Sequence, residues 1–260
     1  MASATTSADI ISEKFLVTHT KQIVPSEIQV FGEEMATGPE ANPGWLSGIS
    51  FHPKRDRILF DSIDGTISYM EMDKIKAGTS PLFLDGFASM MSYVSGGEIK
   101  AAIIHRPLAC RKQTYVMIAD AGVWIDGEEV RTIHSDQLIS NQYKLAADHM
   151  FSAKPELLGK RPLPFIKTTH HWHSNHAAHF AVERPDTIFL MYPNAKPWDM
   201  APAAAFYRAM GGDVVAVGTG VPYRFGAARS HCFVGVPHAE NAQLVARRLA
   251  QYLAPECVAR

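Results

Sequence analysis

Hydrophobic and polar positions change their rhythm once along this chain, near residue 140. Before that point the apolar runs are short and bounded by glycine and aspartate turns, a strand pattern. "RILF" at 57–60 is a short apolar run ending on Asp61 and predicts a buried strand. "FASMMSYVSGGEIKAAIIHRP" predicts two strands joined at Ser95-Gly96-Gly97. "TYVMIADAGVWIDGEEV" predicts a hairpin turning at Ala121-Gly122, with a second turn at Asp126-Gly127. The first 50 residues are weakly patterned: "FLVTHTKQIV" and "SEIQVFGEE" read as short strands or helix remnants, and "TGPEANPGWLSG" as a loop.

After residue 140 strands alternate with helices. "YKLAADH", "TIFLMYP", "DVVAVG" and "HCFVGV" predict strands, and "WDMAPAAAFYRAM" predicts a helix stopped by Gly211-Gly212. "AENAQLVARRLAQYL" predicts an amphipathic helix with Leu244, Ala246, Leu249, Ala250 and Leu253 on its apolar face. The pattern divides the chain into an α+β half over 1–140 and an α/β half over 141–260, packed as one compact unit.

Composition narrows the function classes. Hydrophobic residues make up 47% and charged residues 20% of 260, ordinary for a globular protein with a substantial core. A net charge of -1 gives no basic excess for nucleic acid or a membrane surface. No run of about 18 apolar residues and no basic-then-apolar leader is present, so a soluble cytoplasmic protein is expected. Cys110, Cys232 and Cys257 form no CxxC pair and predict no disulfide framework.

The candidate chemistry lies in "DSIDGT", 61–66. A strand ending in a tight loop projects Asp61 and Asp64 toward one spot, and Gly65 lets the backbone approach a ligand. A helix starting at or just after Thr66 would add free N–H groups for an anion. Carboxylates beside amides suit Mg²⁺ holding a phosphate, since Mg²⁺ takes hard oxygen ligands and keeps positions open for substrate. Taken alone the stretch also reads as a plain Asp-Gly turn.

Two further stretches decide between the readings: "VFGEEM", with Glu33 and Glu34 after a glycine, and "KPWDMAPAAAFYRAMGGDV", with Asp199 opening an alanine-rich helix. Together the three resemble the inositol monophosphatase superfamily, the lithium-sensitive, Mg²⁺-dependent sugar and nucleotide phosphatases. Its signatures are G-E-E, D-P-L/I-D-G-T, and W-D-x-A followed by a helix and G-G. The resemblance covers roughly residues 15–253. It implies a layered αβαβα sandwich with a reduced N-terminal helical layer. It also implies Glu33, Asp61, Asp64 and Asp199 as metal carboxylates, with Ile63 lending a backbone carbonyl. Gly65 and Thr66 would bind phosphate, while Glu33 and the Thr66 hydroxyl position the attacking water. Two or more Mg²⁺ ions, with Mn²⁺ as a possible substitute, would neutralise the four acids and polarise water and the leaving oxygen.

The chain departs from the family in four places. The family's V-T-x-x-D, whose aspartate supports the threonine equivalent to Thr66, is matched with "VTHTK", which puts Lys21 at the aspartate. Ser62 replaces the proline, a change expected to loosen the loop. The substrate wall G-S/T-A-A becomes Asn175-His176-Ala177-Ala178, and the acid that contacts an inositol ring falls near Tyr192, with Lys196 close by. This wall points away from myo-inositol phosphate. Finally, "HHWHSNHAAH" places His173, His176 and His179 three apart, on one face if helical. They read as a zinc site, as pocket residues touching substrate, or as ordinary histidines.

The expected function is Mg²⁺-dependent hydrolysis of a small phosphate monoester of a sugar, cyclitol or amino alcohol. A nucleotide 3′-phosphatase is the runner-up. An inactive family member serving as a binding or scaffold protein is the alternative, and a His-rich metal-binding module a third. The expected partner is a phosphorylated metabolite, without nucleic acid or membrane, and the resemblance implies a homodimer.

Overall fold

A computed structural model describes residues 6–37, 55–70, 86–107, 113–131, 143–158, 166–167, 172–226 and 230–259. Most of the loop expected at 37–48, together with Cys110, His170 and His171, lies outside the described residues.

The chain opens with α1 (Ser7–Ile23), where short strands or helix remnants were expected. Thr6 and Asp9 close a capping box: the Thr6 N–H donates to Asp9 Oδ2 at 2.7 Å, and the Asp9 N–H donates to Thr6 Oγ1 at 3.3 Å. Its buried positions are Asp9, Glu13 and Val17, while Ile11, Phe15 and Ile23 are exposed. The helix therefore turns two acids toward the protein, and the hydrophobic pattern along it is the reverse of the usual one.

Strand β1 (Gln29–Gly32) leads into α2 (Glu33–Thr37), and β2 (Arg57–Asp64) into α3 (Thr66–Met70). β3 (Ala88–Ser95), β4 (Glu98–Arg106), β5 (Gln113–Ile118), β6 (Gly122–Ile125) and β7 (Glu128–Glu129) complete a seven-stranded sheet in sequence order. β1 and β2 pair in parallel and every later pair is antiparallel. The hairpin turns fall at Gly96-Gly97, at Ala119–Ala121 and at Asp126-Gly127.

β8 (Lys144–Ala147), α4 (Met150–Ala153), β9 (Ile166–Lys167), α5 (His176–Glu183), β10 (Thr187–Met191), α6 (Pro197–Ala209), β11 (Asp213–Ala216), β12 (Phe233–Val236) and α7 (Ala242–Ala250) follow. Their five strands form a second sheet in the order β11-β12-β10-β8-β9. β8, β9 and β10 run parallel, and β12 is antiparallel to both its neighbours.

The two sheets face each other across α5 and α6, whose Ala177, Ala178, Ala203 and Ala204 share one core with Ala102, Ile104, Phe189 and Phe233. Small side chains let a helix pass between two sheets, which accounts for the alanine run in α6. α1 covers β1 and β2 on the outer face of the first sheet, and α7 covers β11 and β12 on the outer face of the second. The result is the expected αβαβα sandwich. One face was misassigned: α7 buries Ala242, Val245, Ala246 and Leu249, while Leu244 is exposed. The stripe runs at i, i+3, i+4 and i+7 from Ala242, which leaves Leu244 on the far side.

Candidate functional site

β2 carries the first part of the site. In a regular strand Asp61 and Asp64, three apart, would point to opposite faces. The pairing of β2 with β3 shifts register between these two residues, and the irregularity brings both carboxylates to one side. Asp199 joins them from the first turn of α6. One carboxylate oxygen each from Asp61, Asp64 and Asp199 lies within 4.8 Å of the others. Asp199 also accepts the Lys196 N–H at 2.8 Å, so it caps its helix and faces the cluster at once. Glu33, first residue of α2, shares a hydrogen bond with Asp61 and completes the set of four acids.

Gly65 turns the chain out of the strand with φ of 84°, and a Cβ there would lie 2.1 Å from the Gly86 carbonyl oxygen. No other residue fits that conformation and that gap. Thr66 follows, and its Oγ1 lies 3.0 Å from Asp9 Oδ1 and 3.0 Å from the Ile63 carbonyl. Asp9 thus supports Thr66, and the match of "VTHTK" to the family element was misplaced. The element is Thr5-Thr6-Ser7-Ala8-Asp9, and Lys21 is an exposed residue in the last turn of α1. Ser62 is not a loosening substitution either. It is buried, its hydroxyl donates to the Asp9 carbonyl at 3.0 Å, and its own carbonyl accepts Ser89 Oγ at 2.7 Å.

The electrostatics follow from four acids in one pocket. Burial, then repulsion from Glu34 and Asp64, pushes Glu33 up to about 7 against the pull of its bond with Asp61. Burial raises Asp64 to about 6, with hydrogen bonds from Asn175 opposing and the Asp148 charge adding. Asp61 and Asp199 are driven well above the usual carboxylate range by burial and by their acidic neighbours. Such a cluster holds protons near neutral pH unless a cation replaces them.

Of the residues expected to touch substrate, Asn175 and His176 are buried behind the cluster. The Asn175 N–H donates to Asp64 Oδ2 at 2.7 Å, and its side-chain amide lies 3.4 Å from the Gly86 carbonyl oxygen. His176 is 1% exposed; Arg106 Nη2 lies 3.1 Å from its Nε2, and the His173 N–H donates to its Nδ1 at 3.2 Å. It braces the first sheet against α5 and offers no surface to a ligand. His173 precedes the helix with its ring 4.3 Å from that of His149 and tilted by 40°, while His179 pairs with Glu183 at 3.0 Å. Among the described residues these histidines do not converge on a metal site.

Tyr192 and Lys196 follow β10 on the edge that leads to Asp199. Lys154 Nζ donates to the Tyr192 hydroxyl at 2.9 Å. Two residues that sequence reading did not single out, Asp148 and His149, stand at the matching edge of β8. His149 Nδ1 lies 3.1 Å from Asp148 Oδ1, a charge contact without hydrogen-bond alignment. Burial lowers this imidazole, but Asp148 and Asp64 outweigh it and raise it.

The profile of the Inositol monophosphatase family matches residues 2–254. Among solved structures, a dual-specific IMPase/NADP phosphatase bound with D-inositol-1-phosphate superimposes with a TM-score of 0.66 at 12% identity, over 93% of this chain and 83% of that one. The Thermotoga maritima IMPase gives 0.63 at 18%, over 95% and 84%. An inositol-monophosphate-bound SaIMPase-II gives 0.66 at 15%, over 95% and 84%. Identities this low speak for the fold alone. No curated protein matches the chain.

Proposed function

Because the chain belongs to the inositol monophosphatase family, whose members are phosphoric monoester hydrolases, we propose that it hydrolyses a small phosphate monoester with Mg²⁺ bound by Glu33, Asp61, Asp64, Asp199 and the Ile63 carbonyl. The observation that carries this reading is the convergence of Asp61, Asp64 and Asp199 within 4.8 Å.

The donor set fits the ion. It is all oxygen, as Mg²⁺ and Mn²⁺ prefer, and it has no thiolate or imidazole that would select zinc. Two ions balance four carboxylates and leave a cradle that a phosphate dianion can enter. A metal held there would lower the pKa of water and stabilise the charge that develops on the phosphoryl and leaving oxygens.

The protein's own groups do the rest. With two acceptors inside the protein, Asp9 Oδ1 and the Ile63 carbonyl, each 3.0 Å away, the Thr66 hydroxyl turns its hydrogen inward and offers a lone pair outward. It accepts a hydrogen bond from the attacking water and so turns a water lone pair toward phosphorus. Glu33, hydrogen-bonded beside Asp61, would take up the water proton as its carboxylate. The backbone N–H groups of Gly65 and Thr66 bind the phosphate oxygens.

Phosphorylated sugars, cyclitols and amino alcohols are the leading substrates. The aromatic ring of Tyr192, with the Lys154 ammonium 5.6 Å from its centre, favours a nucleotide 3′-phosphate as the second reading. Asp9 beneath Thr66 supports catalysis over an inactive scaffold role. A phosphate-release screen over a few dozen metabolite monoesters with Mg²⁺ tests the proposal. Turnover of at least one polyol, amino-alcohol or nucleotide ester is expected; no release from any ester would return the chain to the scaffold reading.

A further inference from the structure

We propose that Glu13 is a positioning residue for the metal site. It caps α2 from a distance and thereby fixes the backbone from which Glu33 projects. The proposal rests on the metal reading of the site given above.

A helix start leaves its first N–H groups without intrahelical partners, and the residue before it usually supplies a side-chain acceptor. Ahead of α2 stands Gly32, which has no side chain. The acceptor comes instead from α1. The Glu34 N–H donates to Glu13 Oε2 at 2.8 Å, and the Met35 N–H donates to Glu13 Oε1 at 2.7 Å. Both carboxylate oxygens are thus used on adjacent amides of the turn that begins with Glu33. Glu13 is 2% exposed, so no water competes for those bonds.

The same geometry explains the glycine. A Cβ on Gly32 would lie 2.0 Å from Glu13 Cδ and 2.3 Å from Oε2. The Gly32 backbone is not in the left-handed region, so what forbids a side chain is the incoming carboxylate and not the local conformation. Glu13 occupies the place where an ordinary cap would sit. Either the methyl group or the carboxylate can be there, not both.

α1 therefore holds the site at two points. Asp9 fixes Thr66, and one turn later Glu13 fixes the start of α2. A change at Glu13 should loosen the Glu33 carboxylate without touching any metal ligand. Residues that orient ligands in this way typically alter metal affinity by about 10–100-fold when removed.

The test is Mg²⁺ binding by calorimetry without substrate, well below each variant's melting temperature, on wild type, Glu13→Gln, Glu13→Ala, Gly32→Ala and the Glu13→Ala/Gly32→Ala double variant. Glu13→Ala should bind Mg²⁺ about 10–100-fold more weakly, and Glu13→Gln, which keeps one acceptor oxygen, should fall between it and wild type. Gly32→Ala should weaken binding as Glu13→Ala does, because it evicts the same carboxylate. The double variant should stay within about threefold of Glu13→Ala, since two changes acting through one contact do not add. Equal affinity in wild type and Glu13→Ala, or penalties that multiply in the double variant, would overturn the proposal. Should Glu13→Ala not fold, Glu13→Gln and Gly32→Ala decide it on the same criterion. Wild type that binds no Mg²⁺ would overturn the metal reading itself, and this proposal with it.

Discussion

Thr66 Oγ1 lies 3.0 Å from Asp9 Oδ1, joining two residues 57 positions apart. The other oxygen of Asp9 is occupied by the Thr6 backbone N–H and hydroxyl. Asp9 is therefore a buried acceptor with fixed orientation, and together with the Ile63 carbonyl it keeps the Thr66 hydroxyl hydrogen turned inward. Replacing Asp9 by Asn keeps the shape but offers Thr66 an amide that can point either way. kcat should fall by about 10–100-fold with little change in KM, as when a ligand-orienting partner is lost. Lys21→Ala, in the exposed last turn of the same helix, should leave both constants unchanged. Steady-state kinetics on the two variants check this.

Asp64→Asn separates the roles of charge in folding and in catalysis. It removes one of four mutually repelling carboxylates while keeping volume and hydrogen-bonding reach. The metal-free melting temperature should be unchanged or higher. kcat at saturating Mg²⁺ should drop by orders of magnitude, because metal positioning and charge stabilisation act together. Near-wild-type kcat would return "DSIDGT" to an ordinary turn.

The raised carboxyls also set a pH dependence. Glu33 at about 7 and Asp64 at about 6 bind protons in the folded state more tightly than in the unfolded chain. Their contribution is complete below the unfolded carboxylate range and is lost as pH rises through the folded values. Metal-free protein should lose stability between about pH 4.5 and 7, by a few kcal/mol in order of magnitude. Mg²⁺ competes with those protons, so the rise in melting temperature it produces should grow over the same window. Thermal melts across pH, with and without Mg²⁺, measure both.

His176 and His179 should behave differently from each other. His176 is buried and partnered by Arg106, so His176→Ala leaves a cavity and deprives a buried cation of its neighbour. A loss of about 2–4 kcal/mol is expected, with KM nearly unchanged. His179→Ala, which breaks a partly exposed contact with Glu183, should cost under about 1 kcal/mol. Chemical denaturation and KM on both variants test this; a large KM effect at His176 would make it a substrate residue after all.

The sequence disclosed β2 to β8 and β10 to β12, the alanine-rich α6 and the three acidic motifs, because each follows a short local rule. It hid α1 because that helix buries Asp9 and Glu13 and leaves Ile11 and Phe15 outside, so an apolar stripe pointed the wrong way. Thr6, followed three positions later by Asp9, is a capping-box signal that would have located its start. "VTHTK" looked like the family element only as letters; it lies in the C-terminal turns of α1, where no N-capping threonine is needed. The histidines show the limit of spacing as evidence. A three-residue period says that side chains share a face, but not whether that face meets a ligand or a sheet. The register shift between Asp61 and Asp64 is a matter of pairing with β3, a relationship no window around the motif contains.

The most direct test of the central claim is phosphate release from the best monoester by chelator-treated protein, before and after Mg²⁺ is restored. The convergence of Asp61, Asp64 and Asp199 predicts no turnover in EDTA and full recovery with Mg²⁺. Undiminished hydrolysis in chelator would contradict a metal-dependent site built on these carboxylates.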